Sequence, residues 1–372
     1  MDINLLFDGN HQIKEERDIM MKKRILAGLL VAGMTVSMVA CGSSDNTAKT
    51  SEDTKSAAET EQATQKSSDK LTHVTIAENA FIGDAPLYVA IEKGFFEDYG
   101  IDIEMLEFDD QTNSYNAVAS GNADIARGTL DAALVVADKY SDDMPQVVSV
   151  TDDSAGADGI VAMKGIDTVA DLKGHTVAVE VNQVSHYLLE QAFAKNGLTD
   201  DDVKMVDMNA SDAGKAFLAG EVDAAVTWEP YLSQASSSGE GSMIFSSKDA
   251  PGTILDVLMV SKESADSNAS WIPGVISAIE KGREYLFDDA TKDEAEQIVA
   301  DQLGMSIDEV EGELATVKLY TPKEACEALS EGGLAYKGVS TICDFYTSIG
   351  SIEKEMSADE VLNTSFVSQI NE

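Results

Sequence analysis

From residue 71 onward the chain alternates between short β-branched runs and segments with apolar residues at helical spacing. Residues 73–77 (HVTIA) read as a strand. Residues 85–93 carry Leu87, Ala90 and Ile91 on one helical face, and Gly94 stops that helix. Residues 101–106 (IDIEML) alternate with period two, which predicts a strand. A helix over 114–120 stopped by Gly121, a strand at 123–126, a helix at 130–139 and a strand at 145–151 complete a first run. A second run repeats the rhythm. It has strands at 159–163, 176–181, 203–208 and 224–228, and a helical turn at 169–174. Helices at 185–196 and 210–219 end at Gly197 and Gly220, another starts at Pro230, and an apolar strand follows at 254–260. Beyond Ser270 the pattern is mostly helical. Repeated βα units predict sheets flanked by helices. Two runs predict two α/β lobes, with a ligand cleft where the carboxyl ends of the strands face each other.

The pattern before residue 71 is different. Met21-Lys22-Lys23-Arg24 is a basic start, and residues 25–40 hold sixteen positions without a charge. That is short for a membrane-spanning helix, which needs ~20 apolar residues, and fits the apolar core of a secretory signal. The run ends Met38-Val39-Ala40-Cys41-Gly42, which resembles the lipobox of bacterial lipoproteins, with Met in place of the usual leading Leu. The resemblance implies a signal peptide over 21–40, cleavage before Cys41, and acylation of Cys41 by fatty acids such as palmitate. Residues 42–70 contain no apolar residue larger than Ala, too little to offset chain entropy, so 41–70 reads as the lipidated cysteine and an unstructured linker. Residues 1–20 add nothing to the signal, and are read as an upstream extension produced by a mis-assigned start.

Charge sharpens this division. The 372 residues carry 67 acidic and 26 basic side chains, a formal net charge of −41. Residues 1–40 hold five of each, so the whole imbalance falls after Ala40. Such a chain lacks the clustered Lys and Arg that nucleic-acid binding needs, and an anionic lipid surface should repel it. The hydrophobic fraction of 44% supports a packed core.

Four segments are similar to the substrate-binding proteins of the nitrate/sulfonate/taurine class of ABC importers, including relatives that bind thiamine pyrimidine precursors. They are Ala85-Pro86-Leu87-Tyr88-Val89-Ala90 running into Lys93-Gly94-Phe95-Phe96 and Tyr99-Gly100-Ile101, then Gly121-Asn122-Ala123-Asp124-Ile125-Ala126, then the run 171–179 (DLKGHTVAV), and last 216–231 (AFLAGEVDAAVTWEPY). The resemblance implies a two-lobe type II periplasmic-binding-protein fold, each lobe a mixed sheet flanked by helices, with the ligand cleft between them. It places 71–157 and 261–372 in the first lobe and 158–260 in the second, with crossings near 159–163 and 255–260. It also implies an extracytoplasmic monomer that hands a small molecule to a membrane permease and its ATPase.

Cleft candidates are residues at strand ends. Asn79, Ala80, Phe81 and Asp84 follow the first strand; Gly128, Thr129 and Asp131 the third; Asp152, Asp153 and Ser154 the fourth. Asn182, Gln183, Ser185 and His186 lie between a strand and a helix N-terminus, which offers free N–H donors. Trp228 and Glu229 end the next strand, and Asp256 lies on the returning one. Ser185 reads equally as a helix cap, Asp84 and Asp131 could cap the helices after them, and Arg127 reads as a salt-bridge partner before an anion contact. So many carboxylates, with Phe81, Tyr187, Trp228 and Tyr231 as aromatic faces, lean toward an amine-bearing or heteroaromatic ligand over nitrate, taurine or an alkanesulfonate. A tethered sensor on the same fold stays open.

Nothing in the pattern supplies an enzyme. There is no CxxC or HxxxH, and no cofactor or metal is expected. Some eukaryotic relatives of this fold make thiamine pyrimidine with a cysteine-rich run, which this chain lacks. Cys326 and Cys343 leave a disulfide open.

Overall fold

The computed structural model describes residues 71–108, 111–354 and 356–370. The readings made for residues 1–20, the signal peptide, Cys41 and the linker lie outside the described residues. Within them, eleven strands form two sheets. β1 (Thr72–Glu78), β2 (Ile101–Glu107), β3 (Ile125–Thr129) and β4 (Gln146–Ser154) come first. β5 (Asp158–Met163), β6 (Thr176–Val179), β7 (Lys204–Asp207), β8 (Ala224–Trp228) and β9 (Gly241–Ser246) follow, then β10 (Leu255–Val260) and β11 (Val317–Leu319).

The first sheet runs β11-β4-β10-β3-β1-β2 and the second β7-β6-β8-β5-β9. β1 pairs in parallel with β2 and β3, while β10 lies antiparallel between β3 and β4. In the second sheet β6 pairs in parallel with β7 and β8, and β5 is antiparallel to β8 and β9. Both sheets are therefore mixed. The fold is the two-lobe α/β architecture expected from the chain.

One boundary differs. The run 255–260 was assigned to the second lobe, yet β10 is hydrogen-bonded at the centre of the first sheet, every residue buried. A continuous apolar run suits such a central strand, covered on both faces. The chain thus crosses between sheets at 154–158 and again at 246–255.

Helices cover both sheets. α1 (Ala85–Glu92), α2 (Gln111–Ala119) and α3 (Leu130–Lys139) belong to the first run. α4 (Val184–Asn196), α5 (Ala210–Leu218) and α6 (Tyr231–Ser237) belong to the second. α7 (Lys262–Asp266), α8 (Trp271–Phe287), α9 (Lys292–Leu303), α10 (Ile307–Leu314), α11 (Pro322–Leu329), α12 (Leu334–Ser348) and α13 (Ala358–Val361) return to the first lobe. The amphipathic α8 lies on α1 so closely that a Cβ at Gly282 would sit 2.0 Å from the Pro86 carbonyl oxygen, which is why glycine stands there. Ile76, Ile125, Val257 and Val260 build the first core, and Ile160, Val177, Leu188 and Phe193 the second. Tyr187 of α4 packs with the first core and so bridges the lobes.

Candidate functional site

β3 carries a guanidinium into the interior of the first lobe. Arg127 is 2% exposed, a position that a charge tolerates only with partners. Three aspartates converge on it. Nη1 donates to Asp84 Oδ2 at 2.9 Å, and Nη2 donates to Asp152 Oδ2 at 2.5 Å and to Asp256 Oδ2 at 3.1 Å. The Phe81 ring covers the guanidinium at 5.3 Å. Burial holds the carboxyls of Asp84 and Asp256 well above the usual range, against the pull of Arg127. Asp84, Asp152 and Asp256, expected to face a ligand, are instead turned onto Arg127, because a buried cation needs them more than the cleft does. The salt-bridge reading of Arg127 holds.

Glu78 went unnoticed in the sequence. It ends β1 fully buried, its two carboxylate oxygens find no hydrogen-bond partner among the described residues, and desolvation pushes it up to about 7. An acid directly after the apolar pair Ile76-Ala77, at the end of the strand, was the available signal.

Above this cluster lie residues on the ends of both sheets. Thr129 donates its backbone N–H and its hydroxyl to Gln111 Oε1, at 2.9 and 3.0 Å. Gly128 beside it has φ +156°, and a Cβ there would press on Gln111 and Tyr115. Asp131, buried at the start of α3, accepts from the Tyr346 hydroxyl, and burial raises its pKa. Asp158 of β5 accepts from Ser154 Oγ at 2.6 Å, and Ser154 bonds Ser247 at 2.7 Å, which ties the two crossings together. Asp158 is pushed up to about 7, first by burial and then by Asp131, Asp152 and Glu229. Asp153 is buried too, and is held at about 6 while accepting from the Gly252 N–H.

Half-buried Trp228 stands opposite Asp158 in the strand register. Glu229 follows it, but its carboxylate accepts from Ser233 N at 3.0 Å and Ser233 Oγ at 2.6 Å and so anchors the first turn of α6. Asn79 is half-buried and Ala80 exposed.

In the second lobe, α4 starts at Val184 with Gln183 as N-cap. Ser185 is therefore a buried first-turn residue, not the cap. Asn182 has φ +64°, a left-handed conformation that asparagine tolerates. Its N–H donates to His186 Nδ1 at 3.3 Å. His186 is 2% exposed, contacts Asp200 through Nε2 at 3.1 Å, and stands edge-on to Phe345 of α12 at 5.3 Å. Tyr187 packs on Phe345 and Tyr346. A groove of about 640 Å³ opens beside this contact, with Asn182 and Gln183 on one wall and Thr112, Ala132, Val135 and Tyr346 on the other. Its rim mixes Asp138 and Glu353 with Lys139 and Lys354. Among the described residues, His186, Glu190 and Asp200 are the group placed to hold a metal ion. Cys326 and Cys343 are free thiols.

Two mixed sheets flanked by helices and joined by two chain crossings are the architecture of the periplasmic binding proteins. The periplasmic aliphatic sulphonate binding protein of Escherichia coli superposes with a TM-score of 0.67, 21% identity, and coverage of 77% of this chain and 91% of that one. A putative aliphatic sulfonates-binding protein of Bacillus subtilis is 24% identical over 297 residues, 76% of this chain and 84% of its own length. A putative binding protein of Brucella abortus is 24% identical over 276 residues, 72% of this chain and 82% of its own length. Residues 83–292, more than half of the chain, match the NMT1/THI5-like family, and the protein belongs to it.

Proposed function

We propose that this protein is the extracytoplasmic solute-binding component of an ABC importer, held to the membrane through acylated Cys41. It works as a monomer, captures a small molecule between its lobes, and delivers it to a permease and ATPase by hinge closure. The fold, the family and relatives named as binding proteins support this class.

The favoured ligand bears an amine or is a heteroaromatic such as a pyrimidine. One observation carries this. Burial raises the pKa of Asp158, and carboxylates of both lobes, Asp131 and Asp152 in the first and Glu229 in the second, lie close enough to raise it further. Arg127, buried among the first-lobe acids, already has three aspartate partners. A cationic or hydrogen-bond-donating ligand relieves that repulsion, whereas an oxyanion adds to it. Half-buried Phe81 and Trp228 offer faces for a ring.

An oxyanion ligand is the second reading. It is favoured by the N-terminus of the thirteen-residue α4 behind Asn182 and Gln183, and by the names of the sulfonate-binding relatives.

A calorimetric and thermal-shift series over aminopyrimidines, alkylamines, taurine, alkanesulfonates and nitrate, at pH 6 and pH 8, separates the two. An amine should raise Tm and bind more tightly at pH 8, because binding favours the ionised form of an Asp158 that titrates at about 7. Tm raised by sulfonates or nitrate alone overturns the amine reading.

A further inference from the structure

A cluster in the second lobe is unused by the ligand reading. His186 and Glu190 are four residues apart on α4 and so share one helix face. The turn at Thr199–Asp202, closed by a capping box, brings Asp200 up to that face. Asp200 Oδ2 lies 3.1 Å from His186 Nε2, and one donor atom from each of the three residues falls within 4.8 Å of the others. The second carboxylate oxygen of Asp200 is shut off from water with no donor paired to it among the described residues, and the Glu190 carboxyl lies against Asp200. No Lys or Arg is paired with Glu190 or Asp200 among the described residues. Two carboxylates and a buried imidazole thus point at a common spot with no lysine or arginine paired to them, an arrangement in which a bound cation would offset the repulsion of the carboxylates.

We propose that His186, Glu190 and Asp200 bind a divalent transition-metal ion of the zinc class, with water completing the coordination. Zinc bonds of about 2.0–2.2 Å need tetrahedral donors roughly 3.4 Å apart, a contraction that side-chain rotation supplies. One nitrogen and two oxygens suit zinc and its transition-metal neighbours; calcium takes six to eight oxygens and magnesium keeps an octahedral shell of oxygens. The ion ties the first turn of α4 to the chain entering β7. It also reaches the ligand loop. The His186 ring accepts the Asn182 N–H at Nδ1, which leaves the ring proton on Nε2. Coordination through Nε2 displaces that proton to Nδ1 and releases the Asn182 N–H. The Phe345 contact puts the same ring against the other lobe.

The test uses the full chain stripped with a chelator and titrated with zinc by calorimetry, then with cobalt(II) by visible absorption. One equivalent of each should bind, with the cobalt spectrum of a nitrogen–oxygen site. Glu190→Gln and Asp200→Asn should each weaken zinc about 100-fold with unchanged circular dichroism, as should His186→Gln if it folds. His73→Gln and His175→Gln, at exposed carboxylate contacts elsewhere, should leave the affinity unchanged. Absence of stoichiometric zinc binding, or wild-type affinity retained in both carboxamide variants, overturns the proposal.

Discussion

At the scale of single residues, Arg127 decides how much negative charge the first lobe can hold. Removing it leaves Asp84, Asp152 and Asp256 buried without a counter-charge. Arg127→Met should therefore cost about 3–5 kcal/mol, read as a fall in the urea midpoint. Adding Asp84→Asn and Asp256→Asn should recover part of the loss, because the uncompensated charge goes with them. An additive triple variant contradicts the coupling. Asp158 makes a pH-dependent counterpart. Its pKa in the folded protein is about 7 against an ordinary 3.8, so the folded state holds a proton that the unfolded chain releases. Stability must then fall as pH rises from about 4 to 7, and stay low above that. Ligand-free Asp158→Asn lacks this penalty: it should match the wild type near pH 4 and exceed it at pH 8. Parallel stability–pH curves for the two proteins would refute the assignment. Little of this was legible beforehand. The aspartates were visible as strand-end acids, but whether a carboxylate faces a cleft or a neighbouring strand is fixed by sheet order, and β10 beside β3 puts Asp256 on Arg127.

At the scale of elements, the informative contact is α4 against α12. His186 and Tyr187 come from the second lobe, Phe345 and Tyr346 from the first, and the rings meet across the lobes at 5.3–6.3 Å. Aromatic pairs of this kind contribute about 0.5–1.5 kcal/mol each beyond the area they bury. Phe345→Ala removes the shared member, so the lobes should separate more readily. Small-angle scattering of the ligand-free variant should give a larger radius of gyration than wild type, and ligand affinity should fall by the lost fraction of closed molecules. An unchanged radius would mean that the contact does not hold the lobes. The helix α4 itself was readable from residues 185–196, but its partner was not, since 158 residues of sequence separate Tyr187 from Phe345. The same limit explains the missed strands. Val317–Leu319 is three residues long, and Gly241–Ser246 is an edge strand with exposed Ser242 and Met243. Both owe their form to a neighbouring strand and not to their own periodicity. The βα rhythm was legible because each unit carries its own apolar face and glycine stop.

At the scale of the whole molecule, the net charge of −41 governs how the protein meets a membrane. No helix among the described residues is long and apolar enough to cross one. The folded surface is acidic and should be repelled by anionic lipid within a Debye length of about 8 Å at physiological salt. If the protein works beside a permease, its attachment must then come from a group strong enough to override that repulsion, and Cys41 after the small-residue run Val39-Ala40 is the position suited to carry it. Each buried methylene of an acyl chain is worth about 0.8 kcal/mol, so two or more chains hold a protein of this charge where one does not. Cys41→Ser should move the protein from the membrane fraction into the soluble one. The described domain should keep its wild-type Tm and ligand affinity. Raising the salt concentration should not restore membrane binding: screening removes repulsion but supplies no anchor. Membrane retention of Cys41→Ser at physiological salt would mean that the acidic domain itself finds a protein partner there, and the anchoring proposal would fall while the ligand reading stood.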